Sequence, residues 1–107
     1  MEIITVQADE KLQFSSSGLT HETEQNSKFY EFNSLQKISI LTNDQGPFLD
    51  DQAIAFFFNQ ATLILPSEHI AFMEISDEVT STFDVNLENV MASMSCTENA
   101  EFIIWTV

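Results

Sequence analysis

Apolar residues follow two different periods along this chain, and the change comes at Pro66. Before it, short runs alternate or stay apolar over four to seven positions between clusters of Ser, Asn, Asp, Gln and Gly, which is the pattern of strands joined by tight turns. Glu2 to Gln7, Lys11 to Phe14, Gly18 to His21, Phe29 to Phe32 and Lys37 to Leu41 are read as strands. The uncharged stretch from Gln52 to Ser67 is too short and too interrupted for a membrane span, and is read as two strands around the polar pair Asn59-Gln60. The segments Ala53 to Phe58, Ala61 to Leu65 and Phe102 to Val107 carry apolar residues on both alternating faces. A sheet built from them has two faces to bury, so a flat open sheet is disfavoured and a second covering layer, a curl of the sheet or a partner chain is required.

After Pro66 the period lengthens to that of a helix. Ser67 is expected to cap its start, with Glu68 in the first turn, and Phe72, Ile75, Val79 and Phe83 form one stripe while Glu74, Asp77 and Glu78 fall elsewhere. Asn86 is a second candidate N-cap, followed by Glu88 and the stripe Leu87, Val90, Met91 and Met94. Thr97-Glu98-Asn99 ends that pattern before a terminal strand. The chain is therefore expected to be one acidic α+β domain, residues 1–107. An antiparallel meander sheet curls into a roll, two helices span residues 66–96, and a C-terminal strand follows. Phe57, Ile64, Val79, Phe83, Met91 and Ile104 are expected in one core.

Charge narrows the choice of partners. Seventeen acidic residues against three Lys and no Arg give a formal charge of -14 over 107 residues, which disfavours nucleic acid phosphates and anionic lipid as partners. The imbalance is uneven: residues 50–107 hold ten acids and no Lys or Arg, residues 1–49 hold seven acids and all three Lys. Glu74, Asp77, Glu78 and Glu88 are the candidate partner-binding residues on this reading, suited to a basic protein captured rapidly by complementary fields. The same charge resists self-association at low ionic strength, so a monomer or a weak dimer through a sheet edge is expected. Absence of a basic, apolar leader at Met1-Glu2-Ile3-Ile4 and a single Cys point to the cytoplasm.

No catalytic constellation emerges. His21 and His69 lack partners at metal-ligand spacing, and His69 is read as a surface residue of the first helical turn. Cys96 has no neighbouring base to make it a thiolate and is read as a small buried hydrophobe. Asp44, Asp50 and Asp51 flank Gly46-Pro47, a candidate divalent-ion loop whose spacing does not match an EF-hand and whose plainer reading is an Asx-rich turn. No cofactor, metal site or enzymatic activity is expected.

The order of meandering strands, the segment Phe32-Asn33-Ser34-Leu35-Gln36-Lys37-Ile38, further strands and then helices resembles small bacterial domains of the pleckstrin-homology-like roll. More specifically, Thr42 to Asp51, Phe83-Asp84 and the tail from Met91 to Trp105 resemble a family of short uncharacterised bacterial proteins. That resemblance covers roughly residues 32–107. Some members of that family carry Trp where this chain has Phe or Leu, and the resemblance implies a fold without implying an activity. Small acidic bacterial domains of this build are also similar in kind to immunity proteins that neutralise secreted toxins. The expected function is accordingly non-enzymatic binding and inhibition of a basic, nuclease-like toxin, the alternative being a self-associating structural or regulatory module.

Overall fold

The computed structural model describes residues 2–42, 52–96 and 98–107. Eight strands and two helices follow in the order β1 (Glu2–Thr5), β2 (Lys11–Phe14), β3 (Gly18–Glu22), β4 (Ser27–Glu31), a 3-10 turn (Phe32–Ser34), β5 (Leu35–Thr42), β6 (Gln52–Phe58), β7 (Ala61–Pro66), α1 (Phe72–Thr82), α2 (Leu87–Met94) and β8 (Ala100–Thr106). The fold is α+β, with a meander-like sheet, two helices and a C-terminal strand.

Two sheets divide the strands. β2, β3 and β4 form a three-stranded antiparallel meander, and the other five run in the order β1-β7-β6-β5-β8. The expected curl is thus realised as two sheets that do not close into a barrel. Within the larger sheet β1 runs parallel to β7, whereas the remaining pairs are antiparallel.

The turns are built from the residues that punctuate the sequence. Ser15 N–H and its hydroxyl both donate to the Gly18 carbonyl at 2.9 and 3.0 Å. Thr23 closes the next turn by accepting from the amides of Gln25 and Asn26 on its hydroxyl oxygen. Gly18 has a packing reason as well: a Cβ there would lie 2.2 Å from the Tyr30 carbonyl oxygen and 2.7 Å from the Phe29 ring, closer than real Cβ contacts come.

Register separates the two faces of the five-stranded sheet. One row across the strands reads Ile4, Leu63, Phe56, Ile38 and Trp105. These join Leu35, Ile54, Leu65 and Ile104 in a continuous core with Leu12, Leu19 and Tyr30 of the smaller sheet and with Ile75 and Val79 of α1. Aromatic rings stitch the layers: Phe14 to Phe32, Phe32 to Phe83 and Phe83 to Trp105 at centroid distances of 5.2, 5.2 and 4.9 Å, and Tyr30 to Phe58 at 5.3 Å. Each such pair adds about 0.5–1.5 kcal/mol beyond its area burial.

The other face reads Ile3, Thr62, Phe57, Lys37 and Thr106 in one row and Thr5, Ile64, Ala55, Ser39 and Ile103 in the next. Ala55, Ser39 and Thr62 of these rows are buried, and Phe57, Ile64 and Lys37 are half-buried. Both helices and the three-stranded sheet contribute to the core on the first face. Val79 and Ile104 are in the core as expected and Phe83 packs half-buried against it, but Phe57 and Ile64 lie on the opposite face and Met91 is exposed.

Candidate functional site

α1 begins later than the sequence predicts. Residues 67–71 form turns in which His69 N–H donates to the Pro66 carbonyl and Phe72 N–H to that of His69, each at 3.0 Å. No side chain from Ser67 caps the helix; the first helical bond runs from Ile75 N–H to the Ala71 carbonyl at 2.9 Å. His69 instead braces the segment just before the helix. It is buried, its Nδ1 accepts from Ala71 N–H at 3.0 Å, and its Nε2 donates to the Glu10 carbonyl at 2.8 Å. The surface role expected for His69 is thereby corrected: one nitrogen accepts and the other donates, pinning the start of α1 to the turn before β2.

His21 is buried in the same structural node. Its Nε2 donates to Glu10 Oε1 at 2.8 Å, and that carboxylate oxygen also accepts from Gln7 N–H at 3.0 Å. The Gln7 amide first and the His21 bond second hold the Glu10 carboxyl below its ordinary range. Among the described residues no group of three or more His, Cys, Asp or Glu is arranged to hold a metal ion. Asp44, Asp50 and Asp51 lie outside the described residues. Cys96 is only half-buried, beside the Thr42 hydroxyl at 3.5 Å, because it follows the last turn of α2 instead of entering the core.

α2 is capped as predicted: Asn86 Oδ1 accepts from Asn89 N–H at 3.1 Å, with Glu88 in the first turn. Its seating differs. Asn86 N–H donates to the Ile104 carbonyl and Asn89 Nδ2 to the Ile103 carbonyl, both at 2.7 Å, while Gln52 Nε2 donates to the Ser93 carbonyl at 2.9 Å. These bonds turn Ser93 and Asn89 towards the sheet, so that only Val90 of the predicted stripe is drawn in. Leu87, Met91 and Met94 are left 62, 70 and 74% exposed.

The consequence is an apolar groove of about 230 Å³ between the helices. Ile40, Ile54 and Ile104 of the sheet contribute to its wall, with Phe72, Val79 and Val90 from the helices, and Met73 and Met94 at its rim. Among the described residues no charged side chain lines it. Three of the chain's four methionines, Met73, Met91 and Met94, are exposed on or beside the two helices, and methionine makes an adaptable apolar contact surface.

The four candidate acids are all exposed. Glu74 and Glu78, one turn apart, line a cavity of about 390 Å³ with Leu12, Gln13 and Phe14 of β2, on the flank of α1 away from the groove. Asp77 lies between them in sequence, its carbonyl accepting from Thr80 and Ser81 hydroxyls at 3.0 and 2.9 Å. Glu88 lies in the first turn of α2. Glu74 and Glu78 are brought together, and Glu88 belongs to a separate helix. Sequence reasoning missed the groove; the one signal available was a Met-rich second stripe too wide for a two-turn helix to bury.

No helix of the described residues is long and apolar enough to cross a membrane. Comparison with protein-family models, with curated proteins and with solved structures finds no match.

Proposed function

We propose that the chain is a non-enzymatic protein-binding domain whose helical side takes a basic protein, and that it acts in the cytoplasm as an immunity protein against a nuclease-like toxin. The observation that supports this most is an uncharged, methionine-rimmed groove between two helices that carry the exposed acids Glu74, Asp77, Glu78 and Glu88, in a half of the chain that has no Lys or Arg. Apolar contact in the groove supplies affinity and slow release, since desolvated anchors dominate binding energy. The carboxylates Glu74, Asp77, Glu78 and Glu88 on the same two helices supply speed and selectivity, raising association towards about 10⁸–10⁹ M⁻¹s⁻¹ at low salt. Such a domain inhibits by covering the toxin's cationic nucleic-acid site and needs no catalytic group of its own.

The test uses an inactivated basic nuclease toxin encoded beside the chain's own gene, immobilised for kinetic measurement. Glu74→Lys with Glu78→Lys is expected to slow association at least about tenfold at low salt and to flatten its salt dependence. Met73→Ala with Met94→Ala is expected to speed dissociation instead. Unchanged rate constants in both folded variants, or no binding by the native chain, overturn the proposal.

A further inference from the structure

α1 turns one face towards the groove: Met73, Ser76 and Thr80 line it at spacings of three and four, with Phe72 and Val79 beside them. On α2 the exposed residues Leu87, Met91 and Met94 recur at four and three, a stripe of about 10 Å at about 1.5 Å per residue. At about 230 Å³ the groove is smaller than the roughly 300–1,000 Å³ of pockets that hold drug-sized molecules. Its size favours side chains carried in by a partner over a small molecule.

We infer, resting on the reading of the helical side as the site of a basic protein, that the element this groove receives is a basic amphipathic helix. Its apolar side chains follow one stripe at i, i+3 or i+4 and i+7, with Lys or Arg on both sides.

Charge favours that occupant. Asp77 is four residues after Met73 and three before Thr80, and Glu88 is three before Met91, so on each helix an exposed carboxylate neighbours an exposed methionine. A helix whose apolar stripe is bordered by cations complements this pairing. A second copy of the chain would instead bring the acids of two helical sides together, with no Lys or Arg in residues 50–107 to offset them.

Backbone chemistry selects a helix over the other peptide forms. β8 is the edge strand of its sheet, and its Ile103 and Ile104 carbonyls already accept from Asn89 Nδ2 and Asn86 N–H, both at 2.7 Å. Main-chain bonds that would hold an added strand there are therefore taken. A proline-rich segment requires an aromatic-lined groove, whereas Phe72 is the single aromatic residue among the described lining. A helix satisfies its own backbone and asks of the site only apolar contact and charge. The small side chains of Ser76 and Thr80 let it approach α1 closely, and the flexible thioethers of Met73, Met91 and Met94 adapt to its anchors.

Isothermal titration of the intact chain at about 0.15 M salt tests this with two amidated peptides of about 15 residues. Both contain Leu and Lys in equal numbers, one with Leu at the helical period and one strictly alternating. The helical-period peptide is expected to bind at least about tenfold more tightly and to gain helical circular dichroism when bound. Met73→Ala with Met94→Ala is expected to weaken it at least about tenfold while the free variant keeps its native spectrum. Ile3→Ala, exposed on the opposite edge strand β1, is expected to leave binding unchanged. No binding of the helical-period peptide, equal affinity for both peptides, binding without gain of helix, or indifference to the methionine pair overturns the inference. In each of those cases toxin binding that still depends on Met73 and Met94 keeps the basic-protein reading. A preferred helical-period peptide with no toxin bound upholds the helix and removes the toxin alone.

Discussion

Val79→Ala tests the seating of α1 on the sheet. Val79 has no exposed surface and packs within the core against the first face of the sheet. Removing two methyl groups forfeits about 1.6 kcal/mol of transfer free energy at about 0.8 kcal/mol per methylene. A void of about 50 Å³ adds at most about 1.2 kcal/mol at about 24 cal/mol per Å³. The groove lies alongside Val79, so part of that void is continuous with solvent and the cavity contribution falls towards the lower half of its range. Alanine is the better helix former by about 0.5 kcal/mol, which opposes the loss. The net expectation is a destabilisation of about 2 kcal/mol. Urea unfolding followed by circular dichroism reads this as a fall in midpoint of about 1 M, for a slope between 1 and 3 kcal/mol/M. Met91→Ala, on an exposed position of α2, is expected to move stability by no more than about 0.5 kcal/mol. An unchanged midpoint for Val79→Ala, or an equal loss for both variants, refutes the assignment of which stripe is buried.

Gly18→Ala is expected to cost more than about 2 kcal/mol, because a Cβ 2.2 Å from the Tyr30 carbonyl oxygen forces the β3–β4 backbones apart; thermal unfolding compared with Thr20→Ala on the same strand checks it. Acid exposes the other dependence. The folded pKa values of Glu10 and Glu101 both lie below the ordinary 4.5, through the Gln7 amide and His21 in one case and Lys37 and Ser39 in the other. Their contribution is therefore full above the unfolded value and is lost as pH falls through the folded one. Relief of the -14 self-repulsion acts in the opposite direction over the same range. The diagnostic is the difference: the stability gap between the native chain and Glu10→Gln is expected to close as pH falls below 4.5 and through the lowered folded pKa of Glu10, and a gap that stays constant refutes the Glu10 node.

Local pattern was enough to place most strands, both helices and the Asn86 cap, because side-chain period and capping chemistry are properties of a few adjacent residues. It also showed that β6, β7 and β8 have two apolar faces, and it located the acidic surplus to which Glu74, Asp77, Glu78 and Glu88 belong. What covers which face was beyond it. The parallel pairing of β1 with β7 joins Ile4 to Leu63 across most of the chain, and no local signal encodes a partner that distant. The burial of His69 arises because the Glu10 carbonyl, far away in sequence, is brought within 2.8 Å of its Nε2. The orientation of α2 is decided in the same way. Judged by its own sequence, the helix would bury Leu87, Met91 and Met94, the larger apolar side chains. Hydrogen bonds from Asn89 and Gln52 to backbone carbonyls on β8 and α2 instead hold Ser93 inward. A helix of only two turns has too little apolar area to override several such bonds, each costly to leave unmade once buried. The groove and its methionine rim are the result. The acids on its two helices were written in the sequence, whereas the groove exists only because tertiary contacts rotated one short helix away from the face its own periodicity prefers.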